Sequence, residues 1–279
     1  MQTSDDPNSV HVDVLSLSAV RLDMIFDEMV AAAGTGFLWE RGAHVLLVTA
    51  WHNVTGTHPH TGLSLSKTGI RPNKIRAHFR TSQPQIDQVL VMPLYHEDGA
   101  ANWLIHPDAG EVVDVAVMVI PVPLPPSVLA QPVNKIAQSK MATPVGTDAF
   151  IVGYPKGLSD FGLPIWKRAS IATEPKMFAD ESDRRRVLVD SASREGMSGS
   201  PVVARTLGAY VAESGTVTID QPINMRFLGV YSGRLQGKDT LDAQLGIVWP
   251  GPLIDRIIDN GVIDRFKLDG AYAPRSGSE

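Results

Sequence analysis

The chain contains no cysteine. No disulfide framework can hold it together, so its fold rests on core packing, as in proteins of reducing compartments. No apolar run approaches the length of a membrane span. The opening residues, Met1-Gln2-Thr3-Ser4-Asp5-Asp6, are polar and acidic, with neither the basic nor the apolar region of a secretory signal. A cytoplasmic location and no membrane partner are the expectations. Positive charge is also short: 25 Lys and Arg stand against 30 Asp and Glu, for a net charge of −5 and a pI near 5.9. That balance argues against a nucleic-acid-binding surface. What remains is ordinary for a globular protein, with 43% hydrophobic and 20% charged residues over 279 positions.

From Gly34 onward the texture is that of strands, short apolar runs separated by Gly, Asn, Asp and Pro clusters. Before it, Val10 to Leu17 alternates and predicts a short strand or extended arm. Leu22, Ile25, Phe26, Met29 and Val30 recur at helical spacing and predict a helix over 19–32, its apolar face docked on the body of the protein. The proline-dense run Pro121-Val122-Pro123-Leu124-Pro125-Pro126 cannot continue a central strand and reads as an extended connector. Strand texture returns at Pro144 and lasts through Val248. Leu253, Ile254, Ile257 and Ile258 then predict a C-terminal helix, and the small, polar stretch from Gly270 reads as a disordered tail.

The chemistry gathers around Arg194-Glu195-Gly196-Met197-Ser198-Gly199-Ser200-Pro201. A serine hydroxyl attacks poorly until a base takes its proton and donors receive the oxyanion that forms. Glycine at 196 lets the turn aim the Gly196 and Ser198 amides at one point. Taken alone, the stretch reads more readily as an ordinary tight turn, since Gly/Ser-rich turns are common. His52 follows the apolar run Val45 to Ala50, where a strand gives way to a loop. Asp114 interrupts another apolar run, Val112 to Ile120. A buried carboxylate needs a partner, although Asp114 could also face water at the start of its strand. The other histidines are weaker candidates. His58-Pro59-His60 lacks a third ligand nearby and reads as a loop, so no metal and no cofactor is expected. His96 and His106 sit in polar surroundings and read as surface residues. Arg184-Arg185-Arg186 is flanked by acids and reads as a solvated loop.

Several motifs in sequence order resemble the trypsin-like serine peptidases, in particular the bacterial branch near the HtrA-type proteases. Gly34-Thr35-Gly36-Phe37, Thr49-Ala50-Trp51-His52, Asp114-Val115-Ala116-Val117, Ile151 to Gly157, Asp190 to Gly199 and Gly229-Val230-Tyr231-Ser232-Gly233 carry the likeness from about Gly34 to Trp249. The order His, Asp, Ser is that of the chymotrypsin-type triad. Met197 stands where zymogen-activated trypsins carry an aspartate, which argues against that mode of activation, and the chain after Ser198 leaves no room for an HtrA-type PDZ domain.

The resemblance implies an all-β fold of two six-stranded antiparallel barrels of the chymotrypsin type, with the N-terminal and C-terminal helices added. The expected divisions are 1–33 for the arm and helix, 34–120 for the first barrel, 121–143 for the linker, 144–250 for the second barrel and 251–279 for the C-terminal helix and tail. It implies a serine endopeptidase with His52, Asp114 and Ser198 as its triad, an oxyanion hole from the Gly196 and Ser198 amides, and a hydrogen bond from Ser232 to Asp114. Ala192, Ser193, Tyr231, Ser232 and Gly233 would form the pocket for the substrate side chain before the cut. No acid falls at its base, so a small or medium apolar side chain is expected there. The partners it implies are a protein or peptide substrate, with an activating protein as one means of restraint. The competing readings are a catalytically silent scaffold of the same fold and an esterase.

Overall fold

A computed structural model describes residues 12–83, 87–174, 186–219, 221–235 and 244–266. The first lobe comprises β1 (Ala19–Phe26), β2 (Met29–Arg41), β3 (His44–Thr49), the single-turn helix α1 (Trp51–Thr55), β4 (Lys74–Arg80), β5 (Asp87–Pro93), β6 (Leu104–Ile105) and β7 (Ala116–Val119). The second comprises β8 (Asp148–Gly153), β9 (Ile165–Ile171), β10 (Val187–Asp190), β11 (Pro201–Leu207), the small pair β12 (Tyr210–Val211) and β13 (Val217–Thr218), β14 (Ile223–Arg234) and β15 (Leu245–Pro250). The chain then forms α2 (Pro252–Asn260) and returns to the first lobe as β16 (Val262–Ile263).

The second lobe closes as a six-stranded barrel in the order β10-β15-β14-β11-β8-β9. The first is an eight-stranded sheet, β16-β6-β7-β3-β2-β1-β4-β5. All its pairings are antiparallel, so the all-β, chymotrypsin-like architecture holds. The first lobe has eight strands rather than the expected six, one of the additional two being β16, which returns from beyond α2 to pair with β6.

The helix expected over 19–32 is absent. Those residues form β1 and the start of β2, joined by the two-residue turn Asp27-Glu28, with Phe26 opposite Met29. Asp27 takes a positive φ of 54°. Its amide donates to Asn73 Oδ1, and Asn73 Nδ2 donates to its carboxylate, both at 3.1 Å. Strand β1 is buried on both faces, with Val20, Leu22, Met24 and Ile25 all under 4% exposed. A strand covered on both sides loses its alternation, and here the remaining apolar positions mimicked a period of 3.6. Met29 and Val30, which the helix reading would have buried, are exposed. The strand expected over 10–17 is instead a 3-10 turn at Val14–Leu17, capped by Asp13 Oδ1 accepting from the Leu15 amide at 3.0 Å. Residues 10 and 11 lie outside the described residues, as do Arg184, Arg185 and the tail from Gly270.

Three apolar clusters fill the molecule. One lies inside the first sheet, around Leu22, Leu38, Leu47, Ile75, Phe79 and Met118. Another lies inside the second barrel, around Ile151, Val189, Val202 and Tyr231. The third joins the lobes, with Phe37, Trp39 and Val117 from the first meeting Val152, Val203 and Trp249 from the second, sealed by Ile254 and Ile257 of α2. The candidate site lies along this seam.

Candidate active site

His52 is delivered by α1, which begins two residues after β3 ends, so the histidine sits on a helical turn rather than at the strand's end. Asp114 is likewise displaced from its expected strand, since β7 starts only at Ala116. The Val115 amide donates back to the Val113 carbonyl at 2.6 Å, which puts Asp114 at the apex of a three-residue γ-turn. Val113 and Val115 anchor that turn in the core between the lobes, and Asp114 is 2% exposed. Both its carboxylate oxygens are engaged. Oδ1 accepts from the His52 amide at 2.9 Å, and Oδ2 lies 2.7 Å from His52 Nδ1. Ser232 Oγ also donates to Oδ2.

Burial opposes ionisation of Asp114, but the His52 charge and the hydrogen bonds from His52 and Ser232 prevail and hold its pKa below the usual carboxylate range. Burial likewise opposes a charge on His52, and the Asp114 carboxylate outweighs it, raising the imidazole above its ordinary 6.5. An ionised acceptor at Nδ1 requires that nitrogen to carry the proton. Nε2 is then left with its lone pair, the tautomer a general base needs.

Ser198 stands across the seam. The first lobe holds its turn by the backbone: the Thr35 amide and Asn53 Nδ2 donate to the Ser198 carbonyl at 3.0 and 2.9 Å. Thr35 Oγ1 donates to the Gly196 carbonyl at 2.8 Å and accepts from the Tyr154 amide at 3.0 Å. Thr49 Oγ1 closes the network, accepting from Asn53 and donating to the Thr35 carbonyl. Thr35 and Asn53 escaped the sequence reading. Asn53 carried a signal, being a polar residue one position past His52 in an otherwise apolar turn. Thr35 looked like a variant of a motif rather than a working part.

Gly196 has a φ of +88°, and a Cβ there would stand 2.5 Å from the Tyr154 carbonyl oxygen, so only glycine fits. The Glu195 carbonyl accepts from the Lys156 amide at 2.6 Å. Because the 195–196 peptide is trans, the Gly196 N–H points the opposite way. Among the described residues neither the Gly196 nor the Ser198 amide has an acceptor, leaving two donors for an incoming oxygen. The Ser198 hydroxyl donates to the Ser232 carbonyl at 3.1 Å. No hydrogen bond joins it to His52 among the described residues.

Of the expected pocket residues, Ser193 and Tyr231 are buried and hydrogen-bonded to each other. Ser232 turns toward Asp114, and Gly233 lies beside the Ser198 hydroxyl. Ala192 is exposed, and Ser191 takes the buried place next to Tyr231 that was expected of it. The three residues lie beyond the end of β10 at Asp190, and there Ser191 and Ser193 turn inward while Ala192 turns out. His106, expected at the surface, is fully buried, with Nδ1 accepting from the Asp108 and Ala109 amides at 3.2 and 3.0 Å. His58 Nδ1 accepts from the His60 and Thr61 amides. His96 is exposed.

The family model for the trypsin-like peptidase domain matches residues 34–212, more than half of the chain. The chain belongs to the trypsin-like peptidase family. Among solved structures, this peptidase is similar to the Rv3671c protease from M. tuberculosis in its active form, at 17% identity, covering 90% of this chain and 83% of that one with a TM-score of 0.46. It is also similar to the serine endoprotease from Yersinia pestis, at 12% identity, covering 91% and 70% with a TM-score of 0.47. No curated protein matches it. Among its described residues no helix is long and apolar enough to cross a membrane.

Proposed function

We propose that this trypsin-like peptidase is a serine endopeptidase acting through an acyl-enzyme. The observation that carries the reading is the continuous chain Ser232–Asp114–His52 at the rim of the turn that bears Ser198. In the first step Ser198 Oγ attacks the peptide carbonyl carbon while its proton passes to His52 Nε2. The carbonyl π electrons move onto oxygen, and the Gly196 and Ser198 amides receive that oxyanion. Collapse breaks the C–N bond, and His52 returns the proton to the leaving amine. Water then repeats the sequence on the acyl ester and frees Ser198. Asp114 keeps the imidazole in the working tautomer and balances its charge. Rotation about the Ser198 Cα–Cβ bond exchanges the Ser232 carbonyl for His52 as the partner of the hydroxyl. Such catalytic bonds commonly tighten only with substrate present.

The test is labelling with a fluorophosphonate, which reports an activated serine without the natural substrate. The wild type should label, while Ser198→Ala and His52→Ala should not. The Ser198 hydroxyl's bond to the Ser232 carbonyl in place of His52 is the feature that favours a silent scaffold. Absence of wild-type labelling, both pure and in lysate of the source organism where an activating partner would be present, would support that alternative.

A further inference from the structure

Strand β14 runs past the nucleophile. The Ser232 carbonyl accepts from Ser198 Oγ, and a Cβ placed on Gly233 would stand 3.7 Å from that hydroxyl. A peptide presenting its carbonyl to Ser198 must lie along this strand. The side chain before the cut then enters the space between residues 231–234, the 191–196 segment leading to Ser198, and β15 behind. Small residues frame that space: Ser193, Gly246 and, beside Gly246, Ser191. Such a frame would admit a large substrate side chain, but the ring of Tyr231 already occupies it. Its hydroxyl is hydrogen-bonded to Ser193 on one wall. On the other, a Cβ added to Gly246 would stand 2.5 Å from Tyr231 Cε2 and 3.0 Å from the hydroxyl. The ring thus spans the space from wall to wall, and it is 1% exposed. Its backbone is pinned beside the nucleophile, with the Tyr231 amide donating to Ser200 at 2.9 Å and its carbonyl accepting from Gly199 at 2.7 Å.

We infer that Tyr231 is the specificity-determining residue of this peptidase, an internal plug that restricts the side chain before the cleaved bond to the size of glycine, alanine or serine. Opposite partners support the assignment, since the Ser232 hydroxyl reaches Asp114 while the Tyr231 hydroxyl reaches Ser193 inside the second barrel, across the bulge that β14 makes between Tyr231 and Gly233. The Ser191-Ala192-Ser193 segment carries no carboxylate, so nothing at the base attracts lysine or arginine. The inference rests on the serine peptidase reading above and narrows its substrate class.

The experiment compares the rates at which peptidyl diphenyl phosphonates carrying an alanine-like or a phenylalanine-like side chain label Ser198. In both reagents the serine oxygen bonds to phosphorus, phenolate leaves and His52 takes the serine proton, so only the pocket distinguishes them. Wild-type protein should react with the alanine reagent at least about 100-fold faster, on the scale by which apolar pockets discriminate single methylene groups. Tyr231→Val should bring the ratio to unity or invert it, whereas Tyr231→Phe, which keeps the ring and loses the Ser193 bond, should retain the wild-type preference. Tyr231→Leu, a smaller change in volume, should give an intermediate ratio and serves if Tyr231→Val fails to fold. A flat wild-type ratio overturns the plug. So does an unchanged ratio in a folded Tyr231→Val or Tyr231→Leu that still takes the fluorophosphonate. Failure of the wild type to take the fluorophosphonate both pure and in lysate of the source organism, a reaction that needs no side-chain pocket, overturns the peptidase reading and the plug with it.

Discussion

At the His52 ring two opposing forces meet: burial works against its charge, and Asp114 works for it and wins. The base form of His52 therefore appears only above its ordinary 6.5, and activity should rise with pH through a limb on that side. In Asp114→Asn only burial remains, so the limb should move to lower pH while kcat falls by about 10⁴-fold as the imidazole tautomer is lost. A pH–rate profile of both proteins checks this, and a limb that stays put would show that Asp114 does not set the titration. The residues of the proposed triad stood out because each one violates its surroundings. A histidine ends an apolar run, a carboxylate interrupts another, and a serine sits among glycines. Thr35 breaks no such pattern, and Asn53 marked itself as polar without any sign of what it would reach. Their work is done through backbone contacts 145 and 161 positions away, a distance at which sequence carries no geometric signal.

Strand β1 shows how an element escapes its own sequence. Alternation is legible only when one face meets water, and β1 is covered on both. The turn that would have announced a hairpin carries Asp27-Glu28 without glycine, so the strongest local cue was missing as well. The strand also carries a buried ion cluster. Asp23 accepts from His78 Nε2 at 2.8 Å and pairs with Arg21 at 3.3 Å, with Arg76 at 3.9 Å. Burial resists its ionisation, but the His78 bond and the Arg21 charge prevail and lower its pKa. A lowered carboxylate contributes stability above its unfolded pKa, and that contribution is lost as pH falls through the folded value. Asp23→Ala should cost about 3 kcal/mol at pH 7, since it strands three cationic or polar groups against β1 and β4. The difference from wild type should shrink as the medium is acidified below the carboxylate range. Denaturant melts at pH 7 and pH 3 measure it, and an equal deficit at both would assign the loss to packing alone.

The two lobes are tied by straps from both ends of the described chain. At the start, Arg205 pairs with Asp13 at 2.7 Å and Trp166 Nε1 donates to Ser16 Oγ at 2.9 Å, fixing the first turn to the second barrel. At the other end, α2 and β16 carry the chain from the second barrel back to the first sheet. Trp39 donates to Asp255, Arg41 pairs with Asp259, and Asp264 accepts from both Trp51 and Trp103, at 2.6 and 2.9 Å. Trp51 is the residue before His52, so this strap reaches the base of the proposed triad. A chain ending after Pro250 keeps every proposed catalytic residue but loses the strap and the seal of Ile254 and Ile257. It should lose fluorophosphonate labelling and show a broadened thermal transition. Retention of wild-type labelling by that truncated chain would show that the lobes assemble without it. The two-lobe architecture was legible through ordered motifs and the proline-rich connector, whereas the return of β16 to the first sheet was not. Two residues of strand are too few for any periodicity.

The Asp264 clasp also sets an order of events during synthesis. The ribosome releases the segment holding Asp264 161 positions after Trp103, long after the histidine, aspartate and serine have emerged. Until then the two indoles behind His52 lack their common acceptor and the first sheet lacks its last edge. A nascent chain of this peptidase thus carries its proposed triad before the brace beside His52 has been made.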